Sequence, residues 1–238
     1  MKTAFLPHKI FGLVTAMLML TIASAQERQV PPPTEIGVLT RYEVKHGDKN
    51  KLEEAIRVYV QLATANKANI MAEAYYEQDT ASVLWIIERW NNMSAFEELR
   101  QDKKIELAQP ARMIYIRDLE PISKDEWRRQ PGKDDQPITI MLFVDSEVGT
   151  EEKFKTTYHI AMPLFRSEPG VINYQLSQLE EDSSQFVTYE KFRNEDAFQF
   201  HLNFPPIQPV IDYLNTSIKR PPFQAGLHRL VPLPANKN

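Results

Sequence analysis

The stretch that decides the fold is Glu168-Pro169-Gly170, followed by Tyr189-Glu190-Lys191-Phe192 and then by Ala197-Phe198 and His201. Part of it recurs upstream as Glu88-Arg89-Trp90 and Ala95-Phe96, and the pairs Glu88/Glu190, Ala95/Ala197 and Phe96/Phe198 all lie 102 positions apart. A constant offset carried by several residue types marks a duplicated domain.

Working outward, each copy offers the same elements. Residues 37–44, with Val38, Leu39, Tyr42 and Val44, read as a strand, and Gly47-Asp48 turns the chain into a helix over 49–66. Leu52, Ala55, Ile56, Tyr59 and Ala63 have amphipathic helix spacing, and Phe154, Thr157, Tyr158, Ala161 and Phe165 repeat it at the same offset. Strands follow at 70–77 and 171–179, then polar turns, then strands at 82–90 and 184–192 rich in aromatic and branched residues. Short helices at 92–100 and 194–202 each open on Asn, a favoured N-cap. Last strands are expected at 112–119 and 223–231, which completes β-α-β-β-α-β, the split ferredoxin-like order. The units are therefore 36–122 and 137–233. Residues 123–136, polar, charged and proline-bearing, form a linker, and Pro31-Pro32-Pro33 forms a stiff lead-in.

A four-stranded sheet with helices on one face leaves its other face and its edges uncovered. Two such sheets packed face to face close an eight-stranded barrel. The fold class expected is α+β, an intrachain dimeric α+β barrel whose pseudo-dimer needs no second subunit.

Residues 1–25 read as a signal peptide, with a retained N-terminal anchor as the alternative. Lys2, His8 and Lys9 form a basic start, 10–22 is mostly apolar, and Ala23-Ser24-Ala25 gives a small-x-small cleavage pattern. The apolar run is short for a membrane span, and no other run is long enough, so no membrane association is expected after cleavage. Export to the periplasm of a bacterium, or secretion, follows as the expected location. Without Lys2 and Lys9 the 28 basic residues fall to 26 against 32 acidic ones, a formal charge of −6, which argues against nucleic acid as a partner. With no cysteine there is neither disulfide nor thiol chemistry, and stability must come from burial.

In order and spacing, Arg166-Ser167-Glu168-Pro169-Gly170, Tyr174, Tyr189-Glu190-Lys191-Phe192, Ala197-Phe198 and His201 resemble the antibiotic biosynthesis monooxygenase family of dimeric α+β barrels. The resemblance covers about 138–232. The first unit looks like a divergent copy, with Asn66-Lys67-Ala68 in place of Glu-Pro-Gly and Leu99 in place of His201. Such a resemblance implies small oxygenases without a cofactor that act on phenols, quinols or polycyclic ketones, alongside haem-degrading members. The haem branch is disfavoured: Trp90 stands at its Trp position, but Thr40 replaces its Asn, no His follows Trp90 in that unit, and the second unit has Phe192.

His201 is the sharpest catalytic candidate, a base for a phenol or quinol, against the alternative of a helix-flanking residue bonded to a carbonyl. His159 reads as a solvated helix residue. Glu190 shares a strand face with Thr188 and Phe192, where burial raises a carboxyl pKa and makes a base. Its echo at Glu88 favours a structural task. Tyr174 and Tyr189 can hydrogen-bond a substrate oxygen, with Tyr158, Phe165, Phe186, Phe192, Phe198 and Trp90 as apolar wall; ordinary core packing is the alternative for each. Trp85 and Trp90, five apart on one strand, point to opposite faces. Pro169-Gly170 reads as a helix stop, with Gly in the left-handed conformation.

Seven glycines supply no phosphate loop, and no metal-ligand spacing or nucleophile elbow is present, so neither cofactor nor metal is expected. The function expected is an exported, cofactor-independent monooxygenase that acts with molecular oxygen on a small aromatic or quinol-like substrate. The alternatives are a non-catalytic module binding a small apolar ligand, or a structural domain whose cleft is filled. A cavity of roughly 300 Å³ or more beside His201 separates the last from the other two.

Overall fold

The computed structural model describes residues 35–44, 48–102, 105–222 and 226–234. The proposed signal peptide, the Pro31-Pro32-Pro33 lead-in and Gly47 lie outside them. In chain order the elements are β1 (Ile36–Glu43), α1 (Lys49–Ala65), β2 (Asn69–Glu77), β3 (Val83–Trp90), α2 (Met93–Arg100), β4 (Arg112–Asp118), α3 (Lys124–Trp127), β5 (Ile138–Asp145), α4 (Glu151–Ser167), β6 (Val171–Leu179), β7 (Gln185–Phe192), α5 (Glu195–Leu202), α6 (Gln208–Thr216) and β8 (Leu227–Pro232). The offset of 102 holds for every element of the first copy through α2, and it extends to irregularities. Strand β2 shifts register between Asn69 and Met71, and β6 does so between Val171 and Asn173. The N-caps repeat as well: the side chains of Asn92 and Asn194 accept from the backbone N–H of Ala95 and Ala197, each at 2.9 Å.

All strands pair antiparallel in one closed barrel, β1-β3-β2-β8-β5-β7-β6-β4. Each half keeps the ferredoxin-like order, and the halves join where β8 pairs with β2 and β4 with β6. The last strand of each unit thus covers the free edge of the other, which removes both edges. Alternation of side chains along every strand separates an outer face, under the helices, from the barrel interior.

The interior is not wholly apolar. Lys191 Nζ donates to Glu73 Oε1 at 2.8 Å, and the hydroxyls of Tyr75 and Tyr189 donate to Glu73 Oε2. Arg89 pairs with Asp118 at 2.7 Å, reaches Ser177 of the other half at 3.3 Å, and lies over the Trp127 ring. Trp127 belongs to the segment expected to be a plain linker. Ser123 and Glu126 close a capping box around the one-turn helix α3, which delivers Trp127 into the core against Tyr189.

Three further features depart from the sequence reading. Strand β8 begins at Leu227, and residues 223–225 of the expected strand lie outside the described residues. Between α5 and β8 stand a 3-10 turn (Pro205–Ile207) and helix α6, for which the described residues of the first unit show no counterpart. Gly170 does not take the left-handed conformation; among the described residues only Gly149 has positive φ. Glycine is required at 170 by contact, because a Cβ there would sit 2.3 Å from the Cβ of Ala197. Glu168 before the proline is extended, with φ −62° and ψ 132°, as a residue preceding Pro should be.

Candidate active site

Register builds the floor of a cavity on the outer face of the second half. Arg229 of β8, Ile140 of β5, Glu190 of β7 and Tyr174 of β6 are cross-strand neighbours in one row. Leu227 and Leu142 begin the next row, which continues to Thr188 and Leu176. Tyr158 of α4 and Phe198 and His201 of α5 form the walls, and Ile207, Val210, Ile211 and Leu214 form a roof. The cavity volume is about 360 Å³, above the size expected to separate a ligand site from a filled cleft.

His201 is 1% exposed, and its ring is packed by Phe165, Tyr174 and Phe192 at centroid distances of 4.9, 5.1 and 5.1 Å. Its Nδ1 meets Glu168 Oε1 at 2.8 Å, with both side chains buried. With Nδ1 held at the Glu168 carboxyl, Nε2 is the ring nitrogen left for another partner. This is the orienting partner that a base requires. Glu168 looked like part of a turn in the sequence; 33 positions separate it from His201, and no spacing rule links them.

Burial raises the Glu190 carboxyl above its ordinary range, offset in part by His201 and by hydrogen bonds from Thr188 and Tyr174. Thr188 Oγ1 donates to Glu190 Oε1 at 2.7 Å. Burial also pushes up the Tyr174 and Tyr158 hydroxyls, and the nearby Glu190 charge adds to it. Both tyrosines therefore stay protonated as donors, beside a carboxyl and an imidazole that can exchange protons. Among the described residues no group of three or more His, Asp or Glu side chains is placed to hold a metal ion.

Of the residues singled out from sequence, His201, Tyr174, Glu190, Tyr158 and Phe198 line this cavity. Phe165 and Phe192 stand behind the imidazole. Tyr189 does not belong to the group: alternation along β7 turns it into the barrel, where its hydroxyl meets Glu73 and, at 3.0 Å, the Tyr75 hydroxyl. Phe186 packs on Phe154 at 4.7 Å in the core instead of lining the cavity. Trp90 is fully buried in the first unit, and Trp85 points into the barrel core, so the two do face opposite ways. His159 is on the surface beside Glu120.

The first unit shows what became of the equivalent cleft. Tyr59 stands at the position of Ala161 and Trp90 at that of Phe192. The Tyr59 hydroxyl and Trp90 Nε1 both donate to Glu88 Oε1, at 2.8 and 3.1 Å, so two large side chains converge where the second unit is open. Glu88 is thereby structural, while its counterpart Glu190 faces a cavity. The residues missed were Glu168, Arg229 and the roof of α6. The roof had a signal, since Ile207, Val210, Ile211 and Leu214 have helical spacing in a segment longer than its first-unit counterpart.

The profile of the antibiotic biosynthesis monooxygenase family matches residues 35–110 and again residues 137–211. The chain belongs to this family. As an antibiotic biosynthesis monooxygenase family member it carries two copies of the domain, and the His201 cavity lies in the second. No curated protein matches it by sequence. It is similar to the crystal structure of a proposed monooxygenase from Lactobacillus acidophilus NCFM, with TM-score 0.65 and 13% identity over 84% of this chain and 95% of that one. A proposed monooxygenase from Fusobacterium nucleatum gives TM-score 0.68 and 14% identity over 87% and 96%. An anthrone oxidase-like protein gives 0.58 and 9% over 83% and 92%. At these identities the likeness is one of fold.

Proposed function

We propose that this family member is a cofactor-independent monooxygenase for a small electron-rich aromatic, a phenol or quinol, with its site in the second unit. The observation that carries the reading is the buried Glu168–His201 pair at 2.8 Å opening on an apolar cavity of about 360 Å³. His201 Nε2 takes the phenolic proton, and Tyr158 and Tyr174 hydrogen-bond the oxygen on which negative charge develops. The electron-rich anion passes one electron to molecular oxygen. The resulting radical and superoxide combine into a carbon-bound peroxide, which loses water to leave a carbonyl. One oxygen molecule is consumed and one water released per turnover, with no external reductant. His201 returns its proton to the peroxide, and Glu190, whose carboxyl burial raises, takes the C–H proton of the oxygenated carbon as the O–O bond breaks and passes it to the departing hydroxide, which leaves as the water.

Oxygen-electrode measurements with a hydroquinone and anthrone panel test the reading. Uptake is expected, and His201→Ala should slow it by about 10²-fold or more, the usual contribution of a general base. Glu168→Gln, which keeps the contact but not the charge, should slow it less. Absence of uptake with every phenol that binds would sink the oxygenase reading and favour a binding module.

We further propose export, supported by the basic, apolar and small-residue sequence of positions 1–25. Mass spectrometry of the mature protein should find Gln26 as its first residue; retention of Met1 would count against cleavage.

A further inference from the structure

A second cavity, of about 320 Å³, opens at one end of the barrel, where β1 and β5 finish and β3 and β7 begin. It shares no lining residue with the His201 cavity. Three guanidinium groups line it, Arg41, Arg112 and Arg220, together with the rings of Trp85, Phe143 and His228. The rings form one cluster, with centroids 6.2 Å apart for Trp85 and Phe143, 5.8 Å for Trp85 and His228, and 5.6 Å for Phe143 and His228. Glu77 accepts from Trp85 Nε1 at 2.7 Å and meets His228 Nδ1 at 2.9 Å. That carboxylate fixes both rings and leaves His228 Nε2 as the nitrogen a ligand can reach.

We propose that this end of the barrel is a binding site for a hydroxylated aromatic carboxylate, with the carboxylate on Arg41 and Arg112, the ring against Trp85 and Phe143, and the hydroxyl on His228. The acidic neighbours do not prevent it. Arg41 pairs with Glu43 and Arg112 with Glu181, but those two carboxylate side chains are 64% and 57% exposed. Pairs so open to water are weakly held, so an incoming carboxylate displaces them readily. Asp145 is shared by Arg220 at 3.4 Å and Lys219 at 2.9 Å, and Glu77 is committed to Trp85 and His228.

The chemistry of the wall selects the class. A neutral aromatic leaves the guanidinium groups unused, and a bare inorganic anion leaves the rings unused. A planar acid uses both, and a guanidinium fork matches a carboxylate in two parallel bonds. The duplication sharpens this: Arg41 stands 102 positions before Phe143, and both line the cavity. Equivalent positions of the two halves have diverged into different groups at one shared mouth, a cation from one half and a ring from the other.

Calorimetric titration of the full chain with 4-hydroxybenzoate and with 4-hydroxybenzamide tests the proposal. The acid should bind with Kd of about 1 mM or tighter, and the amide about tenfold more weakly or worse. Arg41→Gln and Arg112→Gln should each weaken the acid by about tenfold, the loss of one charge-assisted contact. Both side chains are partly exposed, so either variant should fold. Either phenol can also enter the His201 cavity, so only the binding that Arg41→Gln and Arg112→Gln remove is assigned to this site; that part should prefer the acid and persist in His201→Ala. No binding of the acid, acid binding that neither arginine variant weakens, or an arginine-dependent part that takes acid and amide equally or is abolished by His201→Ala would overturn the assignment.

Discussion

Glu88 and Glu190 occupy equivalent positions, and the difference between them is made by neighbours. Burial lifts the Glu88 carboxyl to about 7, with hydrogen bonds from Tyr59 and Trp90 and the Arg100 charge opposing it only in part. A carboxyl whose folded value lies above its unfolded value of 4.5 contributes stability that is complete below 4.5 and lost as the pH rises through 7. Over that window the loss is about 3 kcal/mol, at 1.36 kcal/mol per unit. Glu88→Gln keeps the acceptor for Tyr59 and Trp90, so urea unfolding should show it gaining on the wild type between pH 4.5 and 8. A variant that loses ground over that range would refute the assignment. The carboxyl itself was visible in the sequence as half of a repeated pair. A structural task was expected from the repeat itself; the partner that carries it, Tyr59, lies one helix away, and no local pattern aims its hydroxyl at position 88.

At the scale of elements, small residues fix how α5 sits against the turn before β6. Gly170 and Ala197 touch, so Gly170→Ala forces two methyl groups into one place and should cost about 1–3 kcal/mol in thermal or chemical unfolding. Ala197→Gly in the same chain should return much of that loss, because it vacates the space. The contact also holds α5 against the turn in which Glu168 faces His201, so Gly170→Ala should slow oxygen uptake as well as lower Tm. Helix α6 is the other element that matters. Tyr213 stacks on Phe154 at 4.7 Å and bonds the Thr150 hydroxyl at 2.7 Å, which anchors the roof to the start of α4. The repeat gave no template for α6, because the first unit passes from α2 to β4 without it. The Ile207, Val210, Ile211 and Leu214 spacing shows a helix, but only packing shows that it covers a cavity.

The whole molecule is held by closure of two sheets around a partly charged interior. Lys191 of the second half and Glu73 of the first meet inside the barrel. Burial raises the Glu73 carboxyl, but Lys191, Tyr189 and Tyr75 outweigh it and hold it below its usual range. Removing one partner of a buried pair leaves an uncompensated charge, so Lys191→Met should cost about 3 kcal/mol in chemical unfolding. Adding Glu73→Gln should recover most of it; a double variant as unstable as the single one would show that packing, not charge, is at stake. Duplication, the β-α-β-β-α-β order within each unit, the α+β class and closure of a barrel were written in the sequence, because they follow from periodicity, a fixed offset and the need to cover free sheet faces and edges. The Glu168–His201 pair, the inward turn of Tyr189, the roof of α6 and the filling of one cleft by Tyr59 and Trp90 were decided by tertiary structure. Each depends on side chains distant in sequence meeting across a packed interface, and a linear pattern carries no record of which distant residues touch.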